Sequence, residues 1–352
     1  MNTTHYIITN RRVTNNTINN DGKEEASDEI RFATYDTITK KVTLIKDFKG
    51  GNHSSVLTPV PENPYLGILN KKKENLTGSA FMFRDLYDKM LAEKGDVLFF
   101  IHGFNTDFDD SLGNIETLVQ KYISADSPIK HIVMFSWPAR SNLLRYRDDA
   151  RDAEQSGFAL GRAYQMLIDF FRAIFGYNPN KPDAPICNNN IHLMCHSMGN
   201  RVFENMVKSL FNGRNFNTTI FKEIILIASD IDWSCLEEPN PLNKVTNICE
   251  RVHVYFHNKD RALFISETTK NAYNRLGKYG ARDQRKVPSH IHFVDCTAIN
   301  DETSTGEDLI HHWYYYESKK VIADIIEVFN GEEAEEIKGG RNYVSAGKFR
   351  IK

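Results

Sequence analysis

The stretch Ile191-His192-Leu193-Met194-Cys195-His196-Ser197-Met198-Gly199-Asn200-Arg201 constrains this chain more than any other. A short apolar run ends at a serine between small residues. Beyond Gly199 the residues Val202, Phe203, Met206, Val207 and Leu210 recur at helical spacing. Strand, sharp turn and helix is the context in which a G-x-S-x-G-like string presents a nucleophile. The turn is tight, so the residues two places either side of the serine must be small. Gly199 meets this on the helix side, and the compact thiol of Cys195 stands where a second glycine is usual. In such a turn the Ser197 hydroxyl stands clear of the sheet at a helix N-terminus, whose free N–H groups favour developing negative charge. Taken alone, the pentapeptide fits a buried serine in an ordinary strand-to-helix turn equally well.

The rest of the chain shifts that balance. Val97-Leu98-Phe99-Phe100-Ile101 is an unbroken apolar run, as expected of a strand covered on both faces of a parallel sheet. It ends at His102-Gly103-Phe104-Asn105. A loop in this position supplies one backbone N–H of an oxyanion hole in such hydrolytic sites, and the residue after the nucleophile supplies the other. Phe104, ahead of Asn105, and Met198 are the candidate donors.

Strand-like and helix-like segments alternate from Ser79 onward. His131–Phe135, Ile224–Ala228, Val252–Phe256 and Ile291–Val294 read as further strands. Phe83–Leu91, Leu160–Phe175 and Val321–Phe329 carry helical stripes. The alternation implies crossover connections, an α/β class and a mostly parallel sheet with helices on both faces. Residues 1–78 differ. Ile30–Tyr35 and Val42–Ile45 read as antiparallel strands extending the front edge of the main sheet, after a polar loop at Asn15, Asn16, Asn19 and Asn20. Pro59, Pro61 and Pro64 mark a solvated connection. Residues 79–330 form the expected catalytic domain, and 331–352, rich in glutamate at its start, a charged C-terminal tail.

Composition bounds the function classes. The 352 residues, 41% of them hydrophobic, can bury a sizeable core, and a net charge of −2 offers no global field for nucleic acid or an anionic membrane. Five cysteines without a C-x-x-C pair argue against a disulfide framework. There is no signal-like N-terminal pattern and no apolar run approaching the ~20 residues of a membrane span, so a cytoplasmic protein is expected.

A serine nucleophile on such a sheet needs an acid and then a base further along the chain. Asp260 follows the Val252–Phe256 strand directly, and Asp230 follows the strand before it. Either could serve, and each also suits an N-cap or a turn. The base lies beyond the last strand, where His311 and His312 are neighbours that position alone does not rank. His192, His253 and His292 fall inside apolar strands and read as core imidazoles, and His196 as a brace for the turn. No histidine set has a third ligand at metal spacing, so no metal and no cofactor are expected.

The blocks His102-Gly103-Phe104-Asn105, Phe135-Ser136-Trp137-Pro138, His196-Ser197-Met198-Gly199-Asn200-Arg201, Asp230-Ile231-Asp232 and Asn258-Lys259-Asp260-Arg261-Ala262-Leu263 together resemble a poorly characterised bacterial branch of the α/β-hydrolase superfamily, lipase- or esterase-like, over roughly Val97 to Phe329. The resemblance implies the α/β-hydrolase fold and acyl transfer to water from Ser197. Aligned on Glu317-Ser318, it implies His312 as base and Asp260 as acid. Trp313 stands where the branch commonly has a small polar residue. The implied substrate is a small-molecule acyl ester. Trp137, Asn105 and Trp313 are expected to contact it, and Leu143, Leu144 and Tyr146 to wall the acyl pocket. Arg140 with Asp149 and Asp152 reads as a solvated helix start laced with ion pairs, and the basic segment from Lys270 to Lys286 as a wet loop. Two other readings stay open: a non-catalytic binding protein on the same fold, and a lipase or thioesterase for longer acyl chains.

Overall fold

The computed structural model describes residues 3–20, 26–46, 65–140, 145–175, 187–212, 217–269, 273–306, 309–338 and 340–352. Pro59, Pro61, Pro64, Leu143, Leu144 and Lys270 lie outside them. Six parallel strands form the centre of one sheet: β6 (Asp96–Ile101), β7 (Ile129–Ser136), β8 (Ile191–His196), β9 (Phe221–Ile227), β10 (Cys249–Phe256) and β11 (Ile291–Asp295). Successive side chains alternate between faces, and both faces are covered. Val97, Phe99 and Ile101 pack in one core cluster with α1 (Gly78–Glu93), α3 (Tyr146–Phe175) and α4 (Gly199–Phe211). Leu98 and Phe100 pack in the other with α2 (Phe108–Tyr122), α7 (Tyr314–Glu317) and α8 (Lys319–Phe329). This double burial is why these strands read as continuous apolar runs rather than alternating ones.

The strand order about β6 positions the site. β7 pairs with one edge of β6 and β8 with the other, so the direction of winding reverses between β6 and β8. In open α/β sheets, ligands bind outside the carboxyl ends of the strands at such a reversal. Here those ends carry His102-Gly103 and His196-Ser197. The loop after β6 is short because α2 begins at once, on a capping box in which the Asp107 side chain accepts the Asp110 N–H and Asp110 returns the bond. The periodicities above assign no helix here.

The N-terminal segment extends the sheet on the β7 side. β1 (Thr4–Thr9) pairs parallel to β7 and antiparallel to β4 (Arg31–Asp36), which pairs antiparallel to β5 (Lys41–Leu44). The asparagine-rich stretch expected as a loop is a tight hairpin between β2 (Val13–Thr14) and β3 (Thr17–Ile18). Asn15 and Asn16 turn it with φ of +51° and +59°, values a two-residue primed turn demands and asparagine tolerates. The segment from 331 also departs from the expected tail. β12 (Arg341–Ser345) and β13 (Lys348–Ile351) form a hairpin whose second strand pairs parallel to β11. Alternation within Lys348–Ile351 buries Phe349 and Ile351, a period too short to stand out beside the glutamates before it. Arg140 is likewise buried rather than solvated, with its guanidinium 3.2 Å from Asp149 and 2.5 Å from Asp152. Among the described residues no helix is long and apolar enough to cross a membrane.

The C-terminal hairpin is anchored by a buried ion pair, Arg341 Nη2 donating to Asp324 Oδ1 at 2.7 Å and Nε to Oδ2 at 2.8 Å. Asp324 is fully buried on α8 and also accepts from the Tyr255 hydroxyl. Removing one partner of a buried pair leaves the other charge uncompensated. Arg341→Met should therefore lower stability by about 3–5 kcal/mol in urea unfolding followed by circular dichroism. Arg350→Met, at a half-exposed pair with Asp295, should cost under about 1 kcal/mol.

Candidate active site

The serine turn is held from three directions. Ser197 sits at the end of β8 with φ +52°, a left-handed conformation that costs an ordinary residue about 1–3 kcal/mol. Its N–H donates to Ile227 O at 3.0 Å and its C=O accepts from Asp230 N at 3.2 Å, so β9 and the loop that follows it fix both sides of the turn. Asn200, fully buried in the first turn of α4, donates through Nδ2 to Cys195 O at 3.1 Å, Ser197 O at 3.0 Å and Ile227 O at 3.3 Å. Ser229 in turn donates to Asn200 Oδ1 at 3.0 Å. Gly199 is required sterically, because a Cβ there would lie 2.5 Å from Ile101 O and 2.6 Å from His102 O. Met198 caps α4, and among the described residues its N–H donates to no acceptor.

His312 lies across the cleft with its Nδ1 2.7 Å from Asp260 Oδ2. Asp260 ends the loop between β10 and α5 (Arg261–Thr269) and is fully buried. Its two oxygens divide the work, Oδ1 capping α5 by accepting the Leu263 N–H at 2.9 Å while Oδ2 faces the imidazole. One carboxylate therefore caps the helix and faces the imidazole at once. Burial pushes its pKa up, opposed by the charge and hydrogen bond of His312. With Nδ1–H directed at Asp260, His312 keeps its Nε2 lone pair for a proton. His196 braces this arrangement, its Nε2 3.1 Å from His312 O and its ring 4.7 Å from the His312 ring. Burial holds His196 well below the usual imidazole range, so it is neutral.

The loop after β6 passes directly over the serine. A Cβ on Gly103 would lie 2.9 Å from Ser197 Cβ and 3.2 Å from His196 Nδ1. His102 anchors the loop from below. Its Nε2 accepts the Trp137 N–H at 3.1 Å, which leaves Nδ1–H to donate to Gly103 O at 3.0 Å. Burial holds the ring neutral, with its pKa lowered to about 3. The Trp137 indole stacks on His102 at 5.3 Å and donates Nε1–H to His102 O at 2.8 Å. The structure thus puts Trp137, expected as a substrate contact, fully buried beneath the loop and away from the cleft lining. A strand-end tryptophan reads the same in sequence whichever way its ring turns. The N-terminal segment contributes an unexpected support: buried Arg11 donates to Thr106 O at 2.9 Å and Ser136 Oγ at 3.0 Å.

Ser197, His312, Phe104, Asn105 and Trp313 line one cleft of about 450 Å³, within the range of small-molecule sites. Its lining is mixed. Asp230 Oδ2 accepts the Tyr146 hydroxyl at 2.6 Å, Oδ1 accepts Ser266 Oγ at 2.7 Å, and Arg275 Nε lies 3.1 Å from Oδ1. Asp230 is a saturated wall carboxylate with no histidine partner among the described residues. The basic segment expected as a wet loop supplies this buried Arg275, and Lys278, on the short α6 (Leu276–Tyr279), is buried beside Glu267 at 2.8 Å. Leu263, Ile265, Ile310 and Trp313 supply the cleft's apolar lining. His311 points elsewhere, with Nδ1 2.5 Å from Glu302 Oε2.

A family model described as an alpha/beta hydrolase of unknown function (DUF900) matches residues 82–328. No curated protein and no solved structure matches the chain.

The pairing of His312 with Asp260 rather than Asp230 has a signature that does not depend on turnover. Proton NMR of the wild type should show an exchange-protected, downfield Nδ1–H from His312. Asp260→Asn should abolish or strongly shift it, whereas Asp230→Asn should leave it in place. A resonance that survives Asp260→Asn and vanishes in Asp230→Asn would contradict the geometry.

Proposed function

From a chain that belongs to this family of α/β hydrolases of unknown function, we propose a serine hydrolase that cleaves a small or medium carboxylic ester through an acyl-enzyme. The observation that carries the reading is the 2.7 Å His312–Asp260 pair opening onto the same cleft as the strained Ser197 turn. His312 Nε2 takes the Ser197 proton as Oγ attacks the carbonyl carbon. The electrons of the C=O bond move to oxygen, and the N–H groups of Met198 and Phe104 hold the oxyanion, each worth about 10²–10³ in rate. Asp260 stabilises the imidazolium and fixes its tautomer. His312 then protonates the departing alcohol, and water, deprotonated by the same imidazole, releases the acid. Asn105 and Trp313 flank the acyl or alcohol group.

A longer acyl substrate draws support from one feature. The apolar lining includes Ile265, 55% exposed on α5 and next in sequence to Phe264, which is 53% exposed. Apolar rims of this kind mark surfaces that meet apolar ligands.

Fluorophosphonate labelling tests the reading. The wild type should be labelled stoichiometrically at Ser197 and turn over p-nitrophenyl esters, and Ser197→Ala should lose labelling and about 10⁶ in kcat. Asp260→Asn should lose about 10⁴ and Asp230→Asn little. An unlabelled wild type would instead favour a non-catalytic binding protein, and a rate that climbs steadily with acyl length would favour the lipase or thioesterase reading.

A further inference from the structure

Behind the His312–Asp260 pair lies a second group of titratable side chains that this chemistry does not use. His311 Nδ1 is 2.5 Å from Glu302 Oε2, and the Glu302 side chain is only 3% exposed. The His311 ring lies flat against His257, with centroids 4.3 Å and planes 13° apart. His257 is fully buried; burial first, then the charges of His311 and Lys259, lowers its pKa to about 3 and keeps it neutral. Burial also raises Glu302, against the hydrogen bond from His311.

The backbone makes this group consequential. His257 O accepts the N–H of Asp260 at 3.1 Å, so the ring that His311 packs against belongs to the turn carrying the acid. Arg261 N–H donates to Ile310 O at 3.0 Å, joining that turn to the loop carrying the base. His311 itself has φ +56°, a region that favours glycine, and it directly precedes His312. A residue held in such a conformation persists only where its surroundings over-determine it, and sites of chemistry are where this is found. The Glu302 bond and the His257 stack are the surroundings that do so.

A divalent cation is the rival occupant, since one ligand atom from each of His257, Glu302 and His311 falls within 4.8 Å of the others. The hydrogen bonds argue against it. His311 Nδ1 and Glu302 Oε2 are engaged with each other, and His257 Nδ1 accepts the Lys259 N–H at 3.2 Å. The neutral His257 ring therefore carries its proton on Nε2, which leaves that nitrogen no lone pair for a metal.

Resting on the hydrolase reading above, we propose that Glu302, His311 and His257 are positioning residues: Glu302 anchors His311, His311 packs on His257, and together they hold the loop of His312 in register with the turn of Asp260. Misplacing a reacting group by an ångström is enough to cost about 10² in rate, and partners one layer behind a working side chain typically govern 10–100-fold.

The test uses the full chain, p-nitrophenyl ester kinetics and the rate of fluorophosphonate labelling at Ser197. Glu302→Gln, the mildest change, should lower kcat and the labelling rate about 10–100-fold with KM held, and should broaden or shift the His312 Nδ1–H resonance. His311→Asn suits the left-handed backbone but lacks the anchored ring, so it should show the same loss, separating anchoring from backbone strain. His257→Phe keeps a flat ring for the stack and should recover most of what His257→Ala loses. Variants that keep wild-type kcat and the resonance while Ser197 remains labelled overturn the clamp alone. So does a rise in KM at unchanged kcat. Stoichiometric zinc binding by the wild type that His257→Phe abolishes makes the cluster a metal site instead. A wild type that fluorophosphonate fails to label overturns the hydrolase reading and the clamp with it.

Discussion

The conformation of one residue organises this molecule. Ser197 can hold φ +52° only because its own N–H and C=O are both bonded to the β9 side of the sheet and Asn200 gathers three neighbouring carbonyls. Those bonds consume the polar groups that a sharp turn would otherwise leave unpaired in a buried place. They also fix how near α4 can come to β6, and hence why position 199 admits no side chain. The covered parallel sheet is what makes the arrangement affordable, since the flanking strands are over-determined by packing on both faces.

Around that turn the polar groups are neutral or paired, and burial is the reason. His102 and His196 are held unprotonated by desolvation. Each uses its remaining hydrogen-bonding capacity to fix backbone, His102 at the loop over Ser197 and His196 at the loop of His312. A neutral imidazole donates at one nitrogen and accepts at the other, which lets His102 tie Trp137 to Gly103 without placing a charge beneath the site. Asp260 and Asp230 are both buried carboxylates on the cleft side, yet they differ in company. One faces an imidazole, and the other is occupied by two hydroxyls and a guanidinium.

The chain ends are part of this system. β1 lies between β7 and β4, and Arg11 beyond it bonds the carbonyl of Thr106 in the loop that covers the serine. Residues before the family match at 82–328 therefore support the rim of the cleft. At the other end the β12–β13 hairpin closes the edge beside β11, locked by Arg341 on Asp324.

Sequence by itself determined the local grammar: the apolar strand runs, the strand–turn–helix at Ser197, the glycine at 199, and the chain order of candidate acids and bases. These are legible because periodicity, turn chemistry and small-residue requirements act within about ten neighbouring residues. Position along the chain ranked neither Asp260 against Asp230 nor His312 against His311; the family resemblance pointed to one pair, and the tertiary structure brought that pair together across 52 residues. Tertiary structure alone decided that Trp137 turns inward, because a side chain at a strand end can face core or cleft and only the packed neighbours choose. It also decided that Glu302, His257 and Arg11 bear on the site at all, since long-range hydrogen bonds and ring stacking leave no periodic trace along the chain.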